Sequence, residues 1–109
     1  MIKEPILPLL ARTTSGTSYS LCCSDHLEAQ IFLNITAVSG TTPTLDITVE
    51  YSPDNSEWYS HTSFSQKTAT GKDSLRLTGI GGYLRVKYTI AGTTPSFTFS
   101  VDIVLKSKD

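Results

Sequence analysis

Beyond about residue 30 the chain alternates apolar and polar side chains with a period of two, the signature of strands buried on one face. Residues 30–38 set Ile31, Leu33, Ile35 and Ala37 on one face, with Phe32, Asn34, Thr36 and Val38 on the other. Residues 44–51 alternate most cleanly, Leu45, Ile47, Val49 and Tyr51 against Asp46, Thr48 and Glu50. Trp58 and Tyr59 open a shorter strand toward Phe64, and Leu75 and Leu77 mark another over residues 74–78. Residues 83–90 turn Leu84, Val86, Tyr88 and Ile90 inward and Arg85, Lys87 and Thr89 outward. A last strand over 96–105 carries Phe97, Phe99, Val101 and Ile103 on one face, and residues 106–109 form a charged tail.

Turn residues separate these runs. Ser52-Pro53-Asp54-Asn55-Ser56 demands a reversal, because Pro presets the first turn dihedral and Asp or Asn bonds back to nearby backbone. A polar stretch over 65–73 and the glycines of 79–82 give two more bends. Gly40-Thr41-Thr42-Pro43 recurs 52 positions later as Gly92-Thr93-Thr94-Pro95, each copy between two apolar alternating runs. Gly tolerates positive φ and Pro withholds a ladder donor, so the repeat predicts two similar hairpin loops at one end of the molecule. Seven or so short strands without a convincing helix predict an all-β fold, a two-layer antiparallel β-sandwich of Ig-like or jelly-roll type. A short helix over 24–30, capped by Ser24 or Asp25 with Glu28 in its first turn, is the minority expectation.

The first 25 residues lack this alternation. Pro5 and Pro8 bias the start toward extended backbone, and Thr13-Thr14-Ser15-Gly16-Thr17-Ser18 reads as a linker. The chain therefore divides into an extended N-terminal arm and linker (1–25) and a β-sandwich domain (26–109). Ile6, Leu7, Leu9 and Leu10 either fold back as an edge strand or dock on a neighbouring subunit; in the docking case, deleting residues 1–12 should leave a folded body. The apolar run is short, broken by two prolines and preceded by Glu4, which argues against a secretory signal.

Composition narrows the function. Thr and Ser supply 16 and 14 of 109 residues, charged residues only 17%, and the net charge is −1. Such a chain has neither the basic footprint that draws a protein onto nucleic acid nor an apolar run long enough to cross a membrane as a helix. Cys22 and Cys23 are adjacent, so a bond between them would close no loop, and reduced thiols are expected. Those two with His26 and distant His61 do not make the spaced pairs of a zinc site, and Glu50, Asp54 and Glu57 around the Pro53 turn read as solvated acids rather than a calcium site. Asn34-Ile35-Thr36 matches the glycosylation sequon inside an apolar strand, a chance match. No nucleophile sits beside a base in any recognisable motif, so neither an enzyme nor a cofactor is expected. Trp58 and Tyr59, with Tyr51, invite comparison with a sugar-stacking platform, but Trp58 reads better as a core residue between the two sheets.

The runs Tyr51-Ser52-Pro53-Asp54-Asn55-Ser56-Glu57-Trp58 and Gly82-Tyr83-Leu84-Arg85-Val86-Lys87-Tyr88-Thr89-Ile90, the latter continuing through Gly92-Thr93-Thr94-Pro95 to Val101, resemble small virion proteins of tailed bacteriophages. Among them the chain is most similar to head decoration (cement) proteins. The resemblance covers roughly the last 75 residues, rests on strands and turns, and carries over no functional residue. It implies a non-enzymatic module on the capsid exterior, assembled in the host cytoplasm, stabilising the shell as a dimer or trimer on the major capsid protein. A neck or tail accessory protein and a carbohydrate-binding module using Trp58 and Tyr59 are the alternatives. The expected partner-binding positions are Ile6, Leu7, Leu9 and Leu10 on the arm, with Thr41, Thr42, Pro43, Thr93, Thr94 and Pro95 in the repeated loops.

Overall fold

The computed structural model describes residues 2–22, 26–80 and 82–107, and all regular structure among them is β. The strands are β1 (Ile2–Arg12), β2 (Gly16–Thr17), β3 (Leu21–Cys22), β4 (His26–Ser52), β5 (Tyr59–Ser63), β6 (Gly71–Thr78) and β7 (Tyr83–Ser107). The expected helix over 24–30 does not form: β4 begins at His26, because Ala29 and Ile31 continue the two-residue alternation that buries Leu33 and Ile35. Ser24 and Asp25, its expected caps, lie outside the described residues, as do Cys23 and the end of the charged tail.

β4 and β7 organise the molecule. They run 27 and 25 residues, far beyond an ordinary strand, and pair antiparallel from His26↔Ser107 to Ser52↔Tyr83. The two Gly-Thr-Thr-Pro segments lie midway along this ribbon, opposite one another at Thr41↔Thr93. They are not hairpin loops. Each is a bulged corner through which its strand passes from one layer of the sandwich to the other, with register shifts flanking Thr41 on both sides. Gly and Pro announce a change of direction in either case; the pairing of residues 26–38 with 97–107, rather than with 44–52, makes it a corner.

One hydrogen-bonded sheet thus folds over a line at residues 40–43 and 92–95. The front layer carries β1, the second half of β7, the first half of β4, and β6, in that order. The back layer carries β2 and β3, the first half of β7, the second half of β4, and β5. Exchanging β4 with β7 exchanges the layers, β1 with β5, and β6 with β2 and β3, so the topology has a pseudo-two-fold axis through the corner.

Apolar pairs fill the space between the layers. Ile31 faces Ile103, Leu33 faces Val101 and Ile35 faces Phe99 in front; Leu45 faces Ile90 and Val49 faces Val86 behind, all in one core cluster. Tyr88 of the back layer meets Phe99 of the front edge-to-face, with ring centroids 5.5 Å apart. A one-residue bulge between Ile35 and Ala37 reverses the alternation, so Ala37, expected inside, is exposed, and Val38, expected outside, packs on the core. Trp58 is not between the layers either: it is half-buried, with the Arg85 guanidinium 4.2 Å above its ring.

The N-terminal stretch runs antiparallel to β7 along nearly its whole length, from Ile2↔Leu105 past the corner to Cys22↔Tyr83. Within β1, Glu4, Leu7 and Leu10 stand opposite Ile103, Val101 and Phe99, three residues for every two of β7. Each extra residue makes a bulge, and each bulge contains a proline, Pro5 or Pro8, which needs no ladder partner for its nitrogen.

Candidate functional site

The corner is built twice to the same specification. Thr42 and Thr94 both have φ of 46°, and each Oγ1 donates to the carbonyl of the preceding threonine at 2.8 Å. The glycines two residues earlier have φ of 113° and 124°. A Cβ on Gly40 would lie 2.7 Å from the Thr94 carbonyl oxygen, and one on Gly92 would lie 2.9 Å from that of Thr42. Each glycine therefore lets the opposite corner approach, and no other residue fits without moving backbone. Thr41, Thr42, Thr93 and Thr94 are exposed, while Pro43 and Pro95 are half-buried. The fold thus brings six of the expected partner-binding residues into one patch.

The four arm residues separate into two pairs. Ile6 and Leu7 are 1% and 6% exposed and belong to the core of this same chain, whereas Leu9 and Leu10 are 55% and 57% exposed. Leu10 lies opposite Phe99, four residues along β7 from Pro95, or about 13 Å at the usual strand rise. The exposed leucines therefore flank the corner.

Arg12, which the sequence pattern does not single out, is what fixes the arm there. Its guanidinium is buried and donates to the carbonyls of Pro8, Leu10 and Phe99 at 2.8, 3.1 and 2.8 Å. It also lies 4.7 Å from the Phe99 ring centroid and 5.7 Å from that of Tyr88, one ring from each layer. Beyond it the linker hydroxyls serve the free edge of the back layer: Ser15 Oγ accepts from Ile90 N–H at 2.9 Å and Ser18 Oγ from Val86 N–H at 2.8 Å. The serines of the arm thus satisfy backbone groups that an ordinary strand would pair.

At the opposite end, Trp58 and Tyr59 diverge. The Trp58 ring stacks on Arg85, which projects outward and is held by Glu50 at 2.7 Å; the Tyr59 ring turns to the other side of the layer, 6.4 Å from the inward-facing Tyr51. One ring lies on outward Arg85 and the other beside inward Tyr51, so the two do not form one sugar-stacking platform. His61 packs edge-on against Tyr51, with ring centroids 5.1 Å apart, and its Nε2–H donates to the Thr78 carbonyl at 2.7 Å, joining β5 to β6. Its buried Nδ1 has no hydrogen-bond partner among the described residues. Asp54 spends its Oδ1 on the N–H groups of Ser56 and Glu57, and these bonds hold its carboxyl below the usual carboxylate range. Among the described residues, no three of His, Cys, Asp and Glu converge to hold a metal ion.

No protein-family model matches the sequence, and no curated protein matches it. Solved structures share the fold. The PBSX exported protein XepA superposes with a TM-score of 0.69 at 13% identity over 99% of this chain and 38% of that chain, so this chain spans well under half of XepA. A subunit of Bacillus endospore appendages, described as disulfide-linked pili, gives 0.60 at 11% identity over 99% of this chain and 88% of its own. The SPBc2 prophage-derived protein YomS gives 0.56 at 16% identity, covering 96% of this chain and 94% of YomS. At these identities the likeness is one of fold, and two of the three are phage-associated proteins.

Proposed function

We propose that this chain is a non-enzymatic structural module of a tailed-phage particle, a decoration protein that binds the outside of the head and stabilises its shell. Exposure of Leu9 and Leu10 beside the corner carries the reading: a strand that buries Ile6 and Leu7 in its own core leaves the next two leucines in water. The shared fold with XepA and YomS supports a phage context. The partners are the major capsid protein and sister copies, contacted through Leu9, Leu10 and the paired threonine corners. Ile6 and Leu7, already buried, contribute by holding the strand in place.

Sedimentation with phage heads assembled without the chain tests this reading. The unmodified protein should pellet with the heads at on the order of hundreds of copies each, and a Leu9→Ser, Leu10→Ser variant of unchanged melting temperature should stay in the supernatant. Saturation at about six or twelve copies would make it a neck or tail ring component instead, and no pelleting at all would overturn the virion reading.

A further inference from the structure

We propose that the outer edge of β6 is a self-pairing surface held shut by two side chains. Asp73 and His61 occupy main-chain groups that β6 of a second copy would need, and so keep two copies from joining into one continuous sheet. The guard acts whether or not the chain binds heads.

A bare sheet edge is a template for another chain, and proteins blunt it with prolines, bulges, short strands or a cover. The other edges of this sandwich carry such devices. β1 has two bulges, each with a proline; β2 and β3 are two residues long; β5 is bulged at His61, since Thr62 faces Val49 and Ser60 faces Glu50. β6 has none of these. Its eight residues pair with β4 without a register shift and contain no proline, and no described strand lies on their other side.

Successive residues of an antiparallel strand direct their N–H and C=O alternately to either side. Ser74 N–H donates to Asp73 Oδ1 at 2.8 Å and the Thr78 carbonyl accepts from His61 Nε2–H at 2.7 Å, so Lys72, Ser74, Arg76 and Thr78 turn theirs away from β4. A second, antiparallel β6 meets these residues about a two-fold axis at Leu75, which sets Ser74 opposite Arg76 and Lys72 opposite Thr78 with no like charges facing. Moving the axis one residue either way sets Lys72 against Arg76 or Arg76 against itself. In the favoured register each residue pair would exchange two main-chain bonds, and each pair includes Ser74 or Thr78. With Asp73 on the one and His61 on the other, every pair is left with a single bond.

Both guards are anchored in the back layer. The β5 bulge turns the His61 ring toward β6, as bulges commonly re-aim a side chain. Asp73 Oδ2 bonds Lys67 Nζ at 2.6 Å, and Lys67 is tied through its own main chain to Leu45 of β4. Packing of one layer on the other therefore keeps the edge closed.

Asp73→Ala removes one guard, whereas Asp73→Asn keeps it, because the amide oxygen still accepts from Ser74 N–H. In sedimentation velocity over a concentration series, the Ala variant should self-associate about ten-fold or more tightly than the parent and the Asn variant. Amide hydrogen exchange of the associated Ala variant should show new protection at Lys72 and Arg76, with Leu75 and Leu77, which face β4, as protected as before. Association of the Ala variant no tighter than that of the Asn variant, protection gained at another edge instead, or protection lost at Leu75 and Leu77, the mark of unfolding, overturns the guarded edge.

Discussion

The guanidinium of Arg12 donates to the Phe99 carbonyl at 2.8 Å while lying 4.7 Å from the centroid of the same residue's ring. One side chain thus ties the N-terminal strand to both the backbone and the core of β7. Its three acceptors are neutral carbonyls, so no acid can be protonated to release it. Arg12→Ala would leave those carbonyls short of a donor beside a cavity, and should cost about 2–4 kcal/mol in urea denaturation. Arg12→Lys should cost nearly as much, since an ammonium cannot reproduce the planar fork that spans Pro8, Leu10 and Phe99. A loss under about 0.5 kcal/mol for Ala would show that the contacts do not hold the arm.

Removing residues 1–12 should abolish cooperative unfolding, contrary to what an independent arm would allow. The truncation deletes Arg12 together with Ile6 and Leu7, each buried, and uncovers the edge of β7 beside Phe99 and Val101. Burial of Ile6 and Leu7 alone is worth about 1.5–3 kcal/mol each, against a total stability of about 5–15 kcal/mol for a domain of this size. Far-UV circular dichroism through a thermal scan decides it: a sigmoidal melt in the truncated chain would mean that residues 13–109 fold without β1.

The inward positions of the two long strands were legible because a period-two pattern is local: Leu45, Ile47 and Val49, or Phe97, Phe99 and Val101, announce their face without reference to any partner. The repeated Gly-Thr-Thr-Pro was equally visible, but its role depends on Thr41 meeting Thr93, a pairing made by the whole ribbon. Arg12 and Trp58 were opaque for the same reason. A cation in a polar stretch looks solvated until three carbonyls close around it, and a lone Trp looks like core until Arg85, distant in sequence, covers its face.

Relaxing the corner should stabilise the fold. Thr42→Gly and Thr94→Gly remove a β-branched residue from a left-handed φ of 46°, and each should raise stability by about 0.5–1 kcal/mol. Gly40→Ala should do the reverse, because its Cβ would come within 2.7 Å of the Thr94 carbonyl oxygen. Equilibrium denaturation of the three variants measures both directions. If the threonine variants are less stable than the parent, the left-handed geometry carries no strain to release.

Acid should loosen the turn between β4 and β5 ahead of the core. Asp54 Oδ1 accepts from Glu57 N–H at 3.0 Å, Ser56 N–H at 2.9 Å and the Ser52 hydroxyl at 3.1 Å. The Glu57 and Ser56 bonds are the main reason its pKa falls below the ordinary 3.8. A carboxyl whose folded pKa is depressed stabilises the folded chain fully above its unfolded value, and that contribution disappears as pH falls through the folded one. The window therefore lies below about pH 3.8 for Asp54, and for Asp73, lowered by its bond to Lys67, in the same direction. Asp54→Asn keeps an acceptor but no longer titrates, so the gap in urea midpoint between parent and variant should be constant above that window and close within it. A gap that persists unchanged to about pH 2 would show that ionised Asp54 contributes nothing to the turn.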